Sequence, residues 1–176
     1  MGAQFWSVYI GCQHQGRDAV RAVMEQIDAT KQFVKMYPDT FQLALTSADV
    51  ENAVANGRIA SLIGLEGGHA IDSSMQALRQ FHDLGGRYMT ITHTCNTPWC
   101  DSRPGPPVFN GCSAYGIEII HEMNRLGMVV DIAHTSQDTM RHVLRETKAP
   151  VILSHNCAYG NPSTPPLPPP SPHSTR

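Results

Sequence analysis

Met128-Val129-Val130-Asp131-Ile132-Ala133 is a short, nearly continuous apolar run standing between a helical stretch that ends at Gly127 and another that opens at Ser136. A run of this kind is how a strand of a parallel sheet reads when both of its faces are covered. The same unit recurs outward from it. Strands are expected at Gln4 to Tyr9, Ile59 to Leu65, Tyr88 to Thr92, Met128 to Ile132 and Val151 to Leu153. Helices are expected at Arg17 to Met36, Ser47 to Ala55, Ser73 to Leu84, Ser113 to Leu126 and Ser136 to Thr147, each stopping at a cap or helix-breaking signal. Strands alternating with helices define an α/β fold. A doubly wound sheet and a (β/α)8 barrel share this pattern, but a whole barrel needs about 250 residues. Five strands before Asn161 therefore make either an open sheet or part of a larger fold.

Composition narrows the function. The 176 residues carry 13 Lys+Arg against 15 Asp+Glu, a formal charge of −2, and 41% are hydrophobic. This balance is too even for a nucleic-acid surface. The longest apolar runs, Ile59 to Leu65 and Met128 to Ala133, fall far short of the roughly 20 residues that span a bilayer. The start, Met1-Gly2-Ala3-Gln4-Phe5-Trp6, has no basic or apolar leader, and Trp6 stands where a myristoylation motif takes Ser or Thr. Seven of the 13 prolines fall in residues 161–176, around Pro165-Pro166-Leu167-Pro168-Pro169-Pro170. We therefore expect one folded unit over 1–160 and a disordered tail over 161–176 that can adopt polyproline II, rather than a ligand for an SH3-like module.

Chemistry gathers at the strand ends. Glu66 follows Ile63-Gly64-Leu65, His93 follows Thr90-Ile91-Thr92, His134 follows Asp131-Ile132-Ala133 and His155 follows Ile152-Leu153-Ser154. In parallel α/β folds ligands bind at that edge, so the four side chains are expected to converge. One histidine at a strand end is more often a hydrogen-bonded core residue than a ligand. Three, with a carboxylate that is costly to bury unpaired, point to a functional cluster. Two imidazoles and a carboxylate suit zinc and leave a position open for water. Gly67 and Gly68 permit close backbone approach after Glu66, His69 is a candidate supporting partner, and His82, His121 and His142 are expected on solvated helix faces. Five cysteines leave at least one unpaired within the chain, and their spacing alone fits a reduced protein as well as a secreted one.

Gly2-Ala3-Gln4-Phe5-Trp6-Ser7-Val8-Tyr9, the stretch Ser61-Leu62-Ile63-Gly64-Leu65-Glu66-Gly67-Gly68-His69-Ala70-Ile71-Asp72, Tyr88 to Trp99, Met123 to Met128, and Ala149-Pro150-Val151-Ile152-Leu153-Ser154-His155 together resemble the membrane (renal) dipeptidase family. The resemblance runs in order from Gly2 to about Gly160. It implies a partial (β/α)8 TIM-type barrel of about five β/α units and a zinc metallopeptidase that hydrolyses dipeptides, including cystinyl-glycine, leukotriene D4 and some β-lactams. It makes Glu66 the carboxylate bridging two zincs, His134 and His155 the imidazole ligands of one, and His93 a substrate contact. It also pairs Cys12 with Cys95 and implies a cell-surface, GPI-anchored protein.

The family pattern also sets expectations for the ends. Its His-x-Asp metal motif precedes the Gly-Ala-Gln-Phe-Trp segment, where Met1 stands here, and its substrate-binding Arg and proton-transfer Asp follow the region of Tyr159. A form truncated at both ends, lacking signal peptide and anchor, is expected, with at most one zinc well liganded and turnover poor or absent. The expected partners are a dipeptide substrate and a homodimer mate or full-length family member. The rival readings are an inactive interaction product and another amidohydrolase-type metal hydrolase.

Overall fold

The computed structural model describes residues 1–156. The tail expected at 161–176, and Cys157, lie outside the described residues. In chain order the elements are β1 (Ala3–Tyr9), α1 (Ala19–Met36), β2 (Phe41–Leu43), α2 (Ser47–Ala55), β3 (Ile59–Glu66), α3 (Met75–Asp83), β4 (Gly86–Thr90), α4 (Ala114–Leu126), β5 (Val129–Asp131), α5 (Gln137–Glu146) and β6 (Val151–Ile152). Single 3-10 turns occur at Cys12–His14 and Gly68–Ile71. Among the described residues these strands pair in parallel, in the order β1-β3-β4-β5-β6, with β2 alongside the first residues of β3. This is the expected α/β sheet, consistent with part of a TIM-type barrel.

The helices start where their caps place them. Thr46 and Asp49 form a reciprocal capping box at α2, while Ser74, Ser113 and Ser136 each accept an amide of the first turn of α3, α4 and α5. At the far end of α4, Gly127 adopts φ 76°, a left-handed cap that favours glycine. α1 begins at Ala19 rather than Arg17, because Asp18 turns its carboxylate to His14 and Arg21. β2 was not expected. Three residues are too few to show an alternation. β4 begins at Gly86, two residues earlier than expected, where the backbone pairs beside Ile63 and a Cβ would stand 3.0 Å from the Phe81 carbonyl.

Alternation along the strands separates two faces. Val8, Ile63, Leu65, Met89 and Val130 join Val23 and Ile27 of α1, Leu78 and Phe81 of α3 and Ile119, Ile120 and Met123 of α4 in one buried cluster. Each such side chain contributes about 1.5–3 kcal/mol by leaving water. The other face carries Phe5, Ser7, Tyr9, Leu62, Glu66, Tyr88, Thr90 and Asp131. It is less covered than the apolar runs implied. α2 packs Ala53 and Val50 against Ala60 and Leu62 at its N-terminal end, and Phe5 and Tyr9 remain 42% and 41% exposed. Apolar residues can line the inside of a curved sheet without a helix over them.

Candidate metal centre

Thr90, Asp131 and Ile152 are mutual partners in adjacent strands and the last residues of β4, β5 and β6. His93, His134 and His155 each lie three residues beyond one member of that row. Equal offsets from a registered row bring the three rings to one rim, two residues farther beyond the strand end than the sequence placed His93 and one farther for His134 and His155. Glu66 ends β3 beside Tyr9 of β1. The rings stand side by side along the rim, with centroids 4.2 Å apart and planes tilted by 45° for His93 and His134, and 4.7 Å apart and edge-on for His134 and His155.

All four side chains meet at one carboxylate oxygen. Glu66 Oε1 lies 3.4 Å from His93 Nε2, 3.5 Å from His134 Nε2 and 3.2 Å from His155 Nε2. Its other oxygen, Oε2, accepts the Ser7 hydroxyl at 2.6 Å. The Nε2 atoms of His134 and His155 are 2.7 Å apart. Ligand atoms of Glu66, His134 and His155 all fall within 4.8 Å of one another, a spacing at which one ion could be held. His93 packs under the Tyr9 ring at 4.7 Å. Burial, reinforced by neighbouring His134, holds its imidazole below the usual pKa, which keeps it neutral at pH 7.

Backbone geometry serves the same rim. Gly67 takes φ 109°, and a Cβ there would stand 2.4 Å from the His69 ring, while one at Gly68 would stand 2.3 Å from the Ile91 carbonyl. Both glycines are therefore required by the sharp exit from β3. His134 adopts φ 60°, and its carbonyl accepts the Arg103 amide at 2.7 Å, so a left-handed turn after β5 aims this ring.

The remaining histidines separate by contact. His69 is buried with Nε2 on the Ile10 carbonyl at 2.8 Å, supporting the turn before Cys12. His121 is exposed as expected. His142 is not on a solvated face, because its Nδ1 accepts the Cys112 amide at 3.0 Å, and His82 is only half-exposed. Cys12 and Cys95 lie at disulfide distance with Cα atoms 6.1 Å apart. Cys100 and Cys112, whose pairing the sequence left open, do so with Cα atoms 4.1 Å apart. Cys12, His69 and Cys95 also cluster, but their sulfurs are engaged with each other.

Two supporting residues escaped the sequence reading. Ser7 gave no signal, being one hydroxyl in a strand. Asp131 did, as the one charged residue in the run Met128 to Ala133, and it is fully buried.

Residues 1–163 match the family described as membrane dipeptidase (Peptidase family M19). Dipeptidase 3 of Rattus norvegicus is 45% identical over 163 residues, covering 90% of this chain and 33% of that protein. The chain thus spans about a third of the length of this curated relative. The structure of a metallopeptidase described as dipeptidase AC shares the fold with a TM-score of 0.77 at 21% identity, over 85% of this chain and 48% of that one. A metallopeptidase from Rhodobacter sphaeroides, solved with a phosphinate mimic of the dipeptide L-Ala-D-Ala, gives a TM-score of 0.74 at 19% identity, over 84% of this chain and 50% of that one.

Proposed function

The chain belongs to the membrane dipeptidase family, Peptidase family M19, and from that membership we propose that Glu66, His134 and His155 hold a zinc ion in a centre that hydrolyses the peptide bond of dipeptides. The observation that carries this reading is the meeting of Glu66 Oε1 with the two Nε2 atoms within 4.8 Å. A hydrogen bond between two ring nitrogens 2.7 Å apart satisfies only one lone pair. A divalent cation satisfies both, together with the carboxylate oxygen, and two imidazoles with one carboxylate are a zinc donor set.

When bound, zinc supplies Lewis acidity that polarises a scissile carbonyl and activates water. The chain's own groups do the positioning. Ser7 holds Glu66 Oε2 at 2.6 Å and so turns Oε1 toward the rings. His93, neutral and backed by Tyr9, would donate a hydrogen bond to the substrate carbonyl oxygen as charge develops there. The same reading assigns residues 1–160 to the hydrolase unit and 161–176 to a separate tail. It favours an extracellular or cell-surface setting, an oxidising compartment that suits the paired cysteines. Among the described residues no helix is long and apolar enough to cross a membrane.

The test is zinc stoichiometry of the purified 176-residue chain, measured beside cleavage of L-Ala-D-Ala. We expect one zinc per chain, lost in Glu66→Gln with unfolding behaviour preserved. Cleavage should be slow, because the second zinc of the family centre needs ligands beyond these three. A stably folded chain with zinc stoichiometry near zero would refute the assignment and favour an interaction role.

A further inference from the structure

We propose that Asp131 is a positioning residue that acts through Ser154 to fix the tautomer of His155, an inference that rests on the reading of His155 as a metal ligand. Asp131 is fully buried where β5 ends. Its Oδ2 accepts the Thr90 and Ser154 hydroxyls, both at 2.6 Å, and its Oδ1 accepts the amides of Ala133 at 3.0 Å and Ser154 at 3.1 Å. A carboxylate surrounded by four donors is an acceptor only.

The direction of the next link follows. Ser154 has one hydroxyl hydrogen, and that hydrogen is committed to Asp131. At His155 Nδ1, 2.6 Å away, the Ser154 oxygen can only accept. His155 Nδ1 therefore carries a hydrogen, and in the neutral ring the Nε2 lone pair is left facing Glu66 Oε1 at 3.2 Å and His134 Nε2 at 2.7 Å. Metal-binding histidines are commonly held this way by a carboxylate on the other ring nitrogen. Here a serine stands between the two and relays the bond in the same sense, from Nδ1–H to hydroxyl to carboxylate. Thr90 matters equally, since its hydroxyl ties Asp131 to the row from which His93 is also offset.

The test reads the ring directly. The 15N shifts of the histidine rings are recorded on the metal-free 176-residue chain, with the His155 signals assigned by their loss in His155→Gln. We expect an Nδ1–H tautomer at His155. It should revert toward the Nε2–H form in Ser154→Ala and persist in Ser154→Thr, which keeps the hydroxyl. Zinc titrated into the same proteins should bind about 10–100-fold more weakly to Ser154→Ala than to the parent or to Ser154→Thr. Asp131→Asn should repeat the Ser154→Ala tautomer shift if it folds, and the two serine variants decide the matter if it does not. A tautomer unaltered by Ser154→Ala, or lost equally in Ser154→Thr, would overturn the relay. Equal zinc affinity across all variants would overturn it while leaving the metal assignment standing. An Nδ1–H tautomer that depends on Ser154 in a chain that binds no zinc would uphold the relay and remove the metal assignment instead.

Discussion

Asp101, in the segment between β4 and α4, directs its carboxylate chiefly at backbone. Its oxygens accept the amides of Val108 at 3.0 Å, Phe109 at 3.0 Å and Gly111 at 3.1 Å, and one of them the Asn96 side-chain amide at the longer distance of 3.5 Å. Asp131, at the end of β5, accepts amides too, but two of its bonds come from the hydroxyls of Thr90 and Ser154. Both carboxylates are buried, at 1% and 0% exposure, and both are well supplied with donors. An amide donor ends its hydrogen bond at the backbone. A hydroxyl accepts while it donates, so it can pass the orientation on to a ring. Burial alone therefore does not mark a functional acid. What the donors touch next does.

Three experiments break or sharpen this contrast, in falling order of effect. Asp101→Ala leaves several loop amides without their acceptor and should cost about 3 kcal/mol, read from the denaturant midpoint. The ring shifts of His155 should stay where they are. A loss under about 1 kcal/mol, or a moved His155 tautomer, would erase the distinction between the two sites. Replacing both Cys100 and Cys112 by alanine opens the cross-link, 12 residues apart in sequence, around the same segment. We expect about 2 kcal/mol, somewhat under the usual value for a loop of this size because the Asp101 bonds already close it. An effect exceeding that of Asp101→Ala would make the cross-link, and not the carboxylate, the main staple.

The smallest effect belongs to a third acid. Glu122 on α4 is bonded by Arg125 at 2.7 Å and also by Arg79, and these guanidinium hydrogen bonds hold its carboxyl down at about 2 from a usual 4.5. A depressed folded-state pKa means that its stabilisation is complete above about 4.5 and disappears as pH falls through about 2. Melting temperature followed over that interval should fall less steeply in Glu122→Gln than in the parent. Identical slopes would show that this surface triad contributes nothing measurable.

Much of the site was legible because chemistry at strand ends is conspicuous against apolar runs. Glu66, His93, His134 and His155 stood out for that reason, and the structure brings all four to one oxygen. The positioning residues were harder to find. Ser7 and Ser154 act through partners 59 and 23 positions away, Glu66 and Asp131, and a lone serine has no local pattern. His142 misled for a related reason. Its place on a helix of polar composition implied solvent, yet a glycine with φ 127° lets the Gly111 loop close over it and present the Cys112 amide.

Local preference and period were enough to dictate the alternating strands and helices apart from β2, their caps and the identity of the polar residues at the rim, since these depend on neighbours in the chain. Tertiary structure alone decided that Thr90, Asp131 and Ile152 form one registered row, that Glu66 turns one oxygen inward, and that Asp131 speaks to His155 through a hydroxyl. Register and hydrogen-bond direction are set by which strands lie side by side and by where each hydrogen can go, and neither quantity is written in any short stretch of sequence.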